Sequence, residues 1–372
     1  MSSPQQFTIG TRRSALARVQ TDLVAASLKT HYPSLEISIH AMDPLGDRDK
    51  TTALYKLSDQ LTHGSPSISG AAAAKSVWTG EFEELLAAKK LHAIVHSLKD
   101  MATSSPEGLI LGAVLERADP RDALCLPEGH SLGRGNAQSL LKKLGPGAIV
   151  GTSSLRRIAQ LRRGYPQLRF EVARGNVPTR LRKLDEPESF EGGVKYAALI
   201  LAAAGLIRLD LGDRIDAYLS GEEEHGGMLY AVGQGAIGIQ VREDDAETRA
   251  MLEKINHSAT WLAIHAERAL LRALEGGCSV PIGVEASWKG TVLVLRAVVV
   301  SVDGQNSVEV EEEAEVTTVP QAELLGMKIA GFLVDNGASG ILDAINEERR
   351  KEREEEEAKF VEEPAQEGAQ AA

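Results

Sequence analysis

The sequence predicts an α/β protein with mainly parallel sheets, followed by a separate, smaller α+β unit. Strand-like apolar runs alternate with amphipathic helical stretches over the first two thirds of the chain. Beyond Ile255 that order changes to helices, three strand-like runs, then helices again. At 372 residues and 43% hydrophobic content, the chain is long and apolar enough for two or three domains, each with its own core.

Phe7-Thr8-Ile9 reads as the first strand. Ser14 is placed to cap a helix whose apolar face runs through Leu16, Val19, Leu23 and Ala26. Leu35, Ile37, Ile39 and Ala41 alternate with polar residues as in a half-buried strand. The Gly/Ser/Ala-rich stretch 62–74 lacks periodicity and reads as a mobile loop. Ala93-Ile94-Val95 is a short buried strand, and Ala148-Ile149-Val150, 168–172 and 198–201 repeat the theme, each followed by helical pattern. After Ile255 come two helical stretches, strands at 283–287, 292–302 and 307–316, and helices from Gln321. No internal repeat is present.

The net charge of −12 is unevenly spread. From Glu354 to Ala372 seven acids and one lysine carry −6, which reads as a solvated, disordered extension. In contrast, Arg156 to Leu184 holds nine basic residues against Glu171 alone. An acidic protein with one +8 segment is built to meet an anion locally. The polar start, Met1 to Gln6, leads straight into a strand without a basic segment and apolar stretch, and no transmembrane span appears, so the expected location is the cytoplasm. Two cysteines without CxxC spacing give neither a disulfide framework nor a zinc site, and no metal is expected.

Three strand ends carry candidate chemistry. Gly10-Thr11-Arg12-Arg13-Ser14 turns a strand into a helix whose free amides and positive dipole end favour an anion beside Arg12; an ordinary capped helix with surface arginines explains it too. Gly151-Thr152-Ser153-Ser154-Leu155-Arg156-Arg157 places hydroxyls and two guanidiniums in a first helical turn. Cations there oppose the helix dipole, and an unligated pair would repel itself, so a carboxylate or phosphate is expected between them. Arg174-Gly175-Asn176, Arg180 and Arg208 also follow predicted strands, where ligands of open α/β sheets gather. His96-Ser97-Leu98-Lys99-Asp100 follows Ala93-Ile94-Val95. Lys99 and Asp100 form either a surface ion pair of little worth or, in an arginine-rich cleft, a carboxylate kept ionised to stabilise a cation or move a proton.

Gly233-Gln234-Gly235-Ala236-Ile237-Gly238 formally matches a dinucleotide fingerprint, but the residues after it read as a strand rather than a helix. Those glycines fit close backbone approach instead. Cys278 stands on a Gly276-Gly277 turn between a helical stretch at 260–275 and Val280-Pro281-Ile282. It is either an attachment point or nucleophile presented from a loop, or a small buried core thiol. Cys125, inside the apolar run Asp122-Ala123-Leu124-Cys125-Leu126, is expected to pack.

In order along the chain, the 10–17 start, 96–100, Asp119-Pro120-Arg121-Asp122-Ala123, 151–157, Arg174-Gly175-Asn176, 231–235 and 275–281 together resemble the porphobilinogen deaminase (hydroxymethylbilane synthase) family, from about Thr8 to about Asn346. The resemblance implies two periplasmic-binding-protein-like lobes with an active cleft between them and a third domain carrying the cofactor cysteine. The corresponding segments are 1–117 with 232–254, 118–231 and 255–348, with 349–372 as the acidic tail. It also implies a dipyrromethane cofactor, made from the substrate porphobilinogen and joined by a thioether to Cys278, and a monomer.

The implied reaction is four head-to-tail condensations with loss of ammonia, each through an electrophilic azafulvene attacked by a pyrrole α-carbon, then hydrolysis to hydroxymethylbilane. By residue-to-residue match, Asp100 stabilises positive charge on pyrrole nitrogen and assists proton transfer. Lys99, Ser153, Ser154, Arg156, Arg157, Arg180, Arg208, Gln234 and Gly235 hold cofactor carboxylates or pyrroles, and Arg12, Ser14 and Arg174 serve incoming substrate. Each charge-assisted hydrogen bond to a carboxylate is worth about 1.5–3 kcal/mol. This sequence departs from the family at the extended 62–74 loop, at Gly80 where lysine is common, and at Met101-Ala102 in place of an apolar-proline pair; Lys75 aligns with a loop lysine.

Two rival classes remain open on the residues. A nucleic-acid binder explains the +8 segment but not 4% aromatics and arginines tied to separate strand ends. A non-catalytic two-lobed anion-binding protein explains the sheets and leaves Cys278, Asp100 and the third domain without a task.

Overall fold

The structure is a computed structural model that describes residues 6–44, 70–133, 135–274 and 281–362. Cys278 and residues 62–69 of the expected loop lie outside them.

The first sheet contains β1 (Gln6–Arg12), β2 (Glu36–Met42), β3 (Ala93–Ser97), β4 (Leu109–Val114) and β10 (Ile237–Arg242), in the order β2-β1-β3-β10-β4. The second contains β5 (Asp122–Cys125), β6 (Ile149–Gly151), β7 (Arg169–Glu171), β8 (Ala198–Ala202) and β9 (Ala217–Leu219), in the order β7-β6-β8-β5-β9. The sheets are mainly parallel, as expected, with one reversed strand in each. β1 runs parallel to β2 and β3, but β10 is antiparallel to both its neighbours. Likewise β6 is parallel to β7 and β8, whereas β5 is antiparallel to β8 and β9. Strands reached through a helical crossover enter from the same end and run parallel. β5 and β10 instead enter directly from the other lobe, at the end where the parallel strands finish, and so run the opposite way.

The two connecting segments lie side by side. Ala118 N donates to Gly235 O at 3.2 Å, Leu115 N to Ile237 O at 3.2 Å, and the Gln234 amide to Pro120 O at 2.7 Å. Gly235 is required for this approach: its φ is 84°, and a Cβ there would lie 2.5 Å from Ala118 O. Ile237 opens β10, so the glycine-rich stretch before it leads into a strand and is not a dinucleotide fingerprint.

Ser14 caps α1 (Ala15–His31), accepting from Ala17 N at 3.4 Å. The buried face of α1 is not the expected Leu16–Val19–Leu23–Ala26 stripe. It consists of Gln20, Thr21, Val24 and Leu28, while Leu23 is 45% exposed. Burial of the two polar residues is made tolerable by bonds: the Thr21 hydroxyl donates to Ala17 O at 2.9 Å, and Gln20 Oε1 accepts from the Ser97 hydroxyl at 2.9 Å. Val24 and Leu28 join Phe7, Ile9, Val95, Ile239 and Leu252 in the first-lobe core. Gly70–Ala74, assigned to a loop, form the first turns of α2 (Gly70–Ala87), which also holds Lys75 and Gly80.

In the second lobe α3 (Ala137–Lys143), α4 (Leu155–Gly164), α5 (Val177–Asp185) and α6 (Ala203–Arg208) surround the sheet. Its core includes Leu124, Leu140, Leu161 and Ile200. Cys125 is buried as expected, with its thiol pushed up to about 12 by that burial, so it stays protonated and inert.

Following α7 (Ala246–Glu253) and Ile255, one helix rather than two precedes the next strands: α8 (Ser258–Ala273). It packs with β11 (Ile282–Lys289), β12 (Val292–Val300), β13 (Ser307–Glu315) and α9 (Val319–Asp335) around Ala266, Leu270, Val284, Leu295, Val299 and Ile329. These three strands are antiparallel. β13 lies at an edge, and its charged, alternately exposed face discourages pairing with another chain.

The acidic segment expected to be disordered is helical as far as Glu362, in α10 (Ala338–Glu362). Ala338, Leu342 and Ile345 anchor its first turns, and an i,i+4 pair between Glu347 and Lys351 at 2.9 Å supports the next. No helix among the described residues is long and apolar enough to cross a membrane.

Candidate active site

Lys99 and Asp100 lie in a short 3-10 turn, Leu98–Asp100, directly after β3. The turn is held by the return segment: Leu98 N donates to Ala236 O at 3.0 Å, and Gly233 comes so close that a Cβ would lie 3.1 Å from Lys99 N. Asp100 is exposed and makes no hydrogen bond or ion pair among the described residues. His96, near the end of β3, is lowered to about 4 by burial and shares a 3.0 Å bond with Gln240, whose amide reaches Glu83. It is therefore neutral at physiological pH and adds no charge to this strand end.

Lys99 is lowered to about 8, chiefly by burial. The fields of Asp100 and Asp122 oppose that shift, and those of Arg157 and Arg180 add to it. Lys99 and Asp100 of the first lobe thus share one electrostatic environment with Asp122, Arg157 and Arg180 of the second.

The carboxylate expected between Arg156 and Arg157 is Asp122, a residue of the chain itself. Asp122 has a fully buried side chain; Arg156 Nη1 lies 2.8 Å from one of its oxygens and Arg157 Nη2 2.7 Å from the other. The Gln234 amide adds a 3.0 Å bond to the latter. Burial would raise this carboxyl, but Arg156 and Arg157 outweigh it and hold Asp122 at about 2. Both guanidiniums are further fixed by carbonyls, Arg156 by Leu229 O at 2.6 Å and Arg157 by Ile200 O at 2.7 Å. Asp122 was missed in the sequence as a functional residue. Its signal was present: an acid inside an otherwise apolar buried strand requires cationic partners.

Ser153 is exposed and Ser154 half-buried at the start of α4, whose N-terminus receives no side-chain cap from Ser154. Arg180, half-buried on α5, is lowered to about 10 by burial and then by Arg157, and its Nε has no partner among the described residues. Arg174 is exposed on the turn before α5. Arg12, at the end of β1, is close enough to His96 to contribute to the lowering of that imidazole.

Other assigned residues are found at the lobe junction. Gln234 is buried with its amide on Pro120 O and Asp122, while its Oε1 has no partner among the described residues. Arg208 donates to Gly235 O at 2.7 Å, so the guanidinium braces the crossing backbone. Sequence reasoning also missed the residues that attach the C-terminal unit there. Glu267 of α8, fully buried, accepts from both Arg117 terminal nitrogens and from Gly233 N at 2.8 Å. Arg268 donates to Ala102 O at 2.6 Å. No group of three or more His, Cys, Asp or Glu among the described residues is arranged to hold a metal ion.

Similarity to known proteins extends along nearly the whole chain. A family model described as porphobilinogen deaminase, dipyromethane cofactor binding domain, matches residues 7–250, and one for the porphobilinogen deaminase C-terminal domain matches residues 261–335. Porphobilinogen deaminase of Neurospora crassa is 46% identical over 342 residues, 92% of this chain and 94% of its own. That of Yarrowia lipolytica is 45% identical over 94% of this chain and 95% of its own, and that of Synechococcus sp. 44% identical over 92% and 98%. Two family models in chain order and relatives of matching length place this chain in the porphobilinogen deaminase family.

Proposed function

We propose that the chain is a deaminating transferase that condenses four porphobilinogen molecules head to tail on a dipyrromethane primer, tethered through Cys278, and releases four ammonia and then hydroxymethylbilane. In this reading it acts as a monomer in the cytoplasm, in tetrapyrrole biosynthesis.

The donor and acceptor inventory fits such a primer. Pyrrole rings bearing acetate and propionate present carboxylates to cations and N–H donors to acceptors. Lys99, Arg157 and Arg180 outnumber the buried Asp122 that faces them; Arg180 Nε and Gln234 Oε1 are a buried donor and acceptor without partners among the described residues. When bound, dipyrromethane supplies the nucleophilic α-carbon at which the chain is extended. Lys99 and Arg180 bind its carboxylates, with Arg156 and Arg157 pre-organised by Asp122 so that their orientation costs little at the moment of binding. Ser153 and Ser154 present hydroxyls at the same helix end. Arg12, with Ser14 at the first helix start, and the exposed Arg174 receive the incoming acid. Asp100 offsets positive charge at pyrrole nitrogen and accepts or returns a proton there.

The observation that carries this reading is the single electrostatic environment joining Lys99–Asp100 of one lobe to Arg157 and Arg180 of the other. Asp100→Asn tests it. The variant is expected to keep its cofactor, read by intact mass, while turnover of porphobilinogen falls about 10²-fold or more. Near-normal turnover contradicts the assignment of Asp100.

A further inference from the structure

We infer that Arg268 is a positioning residue for Asp100: from the C-terminal unit it grips the backbone just beyond the Leu98–Asp100 turn and thereby sets where that carboxylate stands. This inference rests on the proposed role of Asp100.

Arg268 is 5% exposed, yet no carboxylate meets its guanidinium among the described residues. Its Nη2 instead donates to two successive carbonyls, Ala102 O at 2.6 Å and Thr103 O at 3.1 Å. Those carbonyls belong to a stretch without regular structure, so neither helix nor sheet supplies them with donors. Arg272, one turn further along α8, points its Nη1 at Thr103 O from 3.4 Å and is held by Glu323 at 2.9 Å. Burying a guanidinium against carbonyls alone is an expensive way to fasten a loop, because no opposite charge offsets its desolvation. Its cost is reasonable where position matters more than stability.

Position is what Asp100 lacks on its own. With no side-chain bond among the described residues, its carboxylate is placed solely by the flanking backbone. Upstream, Leu98 is fixed to Ala236 O, and Leu98 and Met101 pack with Ile264 of α8. Downstream, Ala102 and Thr103 are fixed by Arg268. The preceding residue on α8, Glu267, clamps Gly233 and Arg117, so two consecutive residues tie the lobe junction and the Asp100 turn to one helix. Ala273 ends that helix five residues before Cys278. One helix therefore links the lobe junction to the backbone just beyond the Asp100 turn.

The test compares Arg268→Lys and Arg268→Met with the parent enzyme, with Asp100→Asn alongside. Steady-state kinetics, the cofactor-bearing fraction by intact mass, and deuterium uptake at amides 98–105 are measured. Arg268→Lys keeps a donor group but on a side chain too short to bring it where Nη2 meets both carbonyls. It is expected to lower kcat about tenfold with KM and the cofactor-bearing fraction unchanged, and to speed exchange at 101–105. Arg268→Met is expected to lose more; if it does not accumulate, the lysine variant decides. Parental kcat in Arg268→Lys overturns the inference, as does a kcat loss matched by an equal loss of cofactor-bearing protein, which makes the role purely structural. If Asp100→Asn is slow while Arg268→Lys is normal, only this inference fails. Normal turnover in Asp100→Asn removes the Asp100 reading itself.

Discussion

At the scale of single residues, the site is governed by how burial is offset. Arg156 and Arg157 are buried because Asp122 is buried with them, and removing that carboxylate would leave two desolvated cations facing each other. At Lys99 burial outweighs the fields of the neighbouring carboxylates. Lowered to about 8 by burial, this lysine carries its charge at neutral pH at a cost to the fold that is relieved as pH rises from about 8 towards its ordinary 10.5. An arriving carboxylate favours the ammonium, so binding there is linked to proton uptake once the pH passes about 8. Assembly of the dipyrromethane primer on cofactor-free protein is therefore expected to weaken above pH 8 in the parent, by up to about tenfold per unit if Lys99 dominates binding of its carboxylates. Lys99→Arg, which keeps its charge at any accessible pH, should flatten that limb. Identical upper limbs in the two proteins, with primer assembly read by intact mass against pH, would remove Lys99 from carboxylate binding.

At the scale of elements, the two segments crossing between lobes approach each other closely at the backbone. Gly235 sits at φ 84° with Ala118 O where a Cβ would go. Gly235→Ala is expected to cost at least about 1–3 kcal/mol in denaturant unfolding. Gly331→Ala, on α9 with open space around it, is expected to gain about 0.5–1 kcal/mol instead. Equal effects at the two sites would mean that the close approach is not maintained in solution. Much at this scale was legible in the sequence: the strands at 7–9, 93–95 and 198–201, the Ser14 cap, and the strand that disqualifies a dinucleotide fingerprint. The buried face of α1 was not, because Gln20 is made acceptable by Ser97, a residue far along the chain that periodicity does not see. Nor was the direction of β5 and β10, which depends on the chain crossing twice between lobes. Arg156 and Arg157 announced a missing anion, but its identity as Asp122 required the strand pairing that brings β5 beside β8.

At the scale of the whole molecule, three sheets divide the labour. Two mixed sheets bring their strand ends to a common junction, and the antiparallel C-terminal sheet, through α8, reaches both the crossing segments and the Asp100 turn. This arrangement suits a chain that must be held at one end while its other end grows past fixed groups. The sequence placed the tether at Cys278 through family resemblance, whereas the role of α8 in bracing Asp100 depends on contacts between residues more than a hundred positions apart. The most direct check of a tethered primer is the intact mass of the purified parent protein and of Cys278→Ala. The parent is expected to exceed its polypeptide mass by the two pyrrole units of a dipyrromethane, and the variant to show the polypeptide alone. A parent with no excess, or a variant that keeps it, would contradict the account.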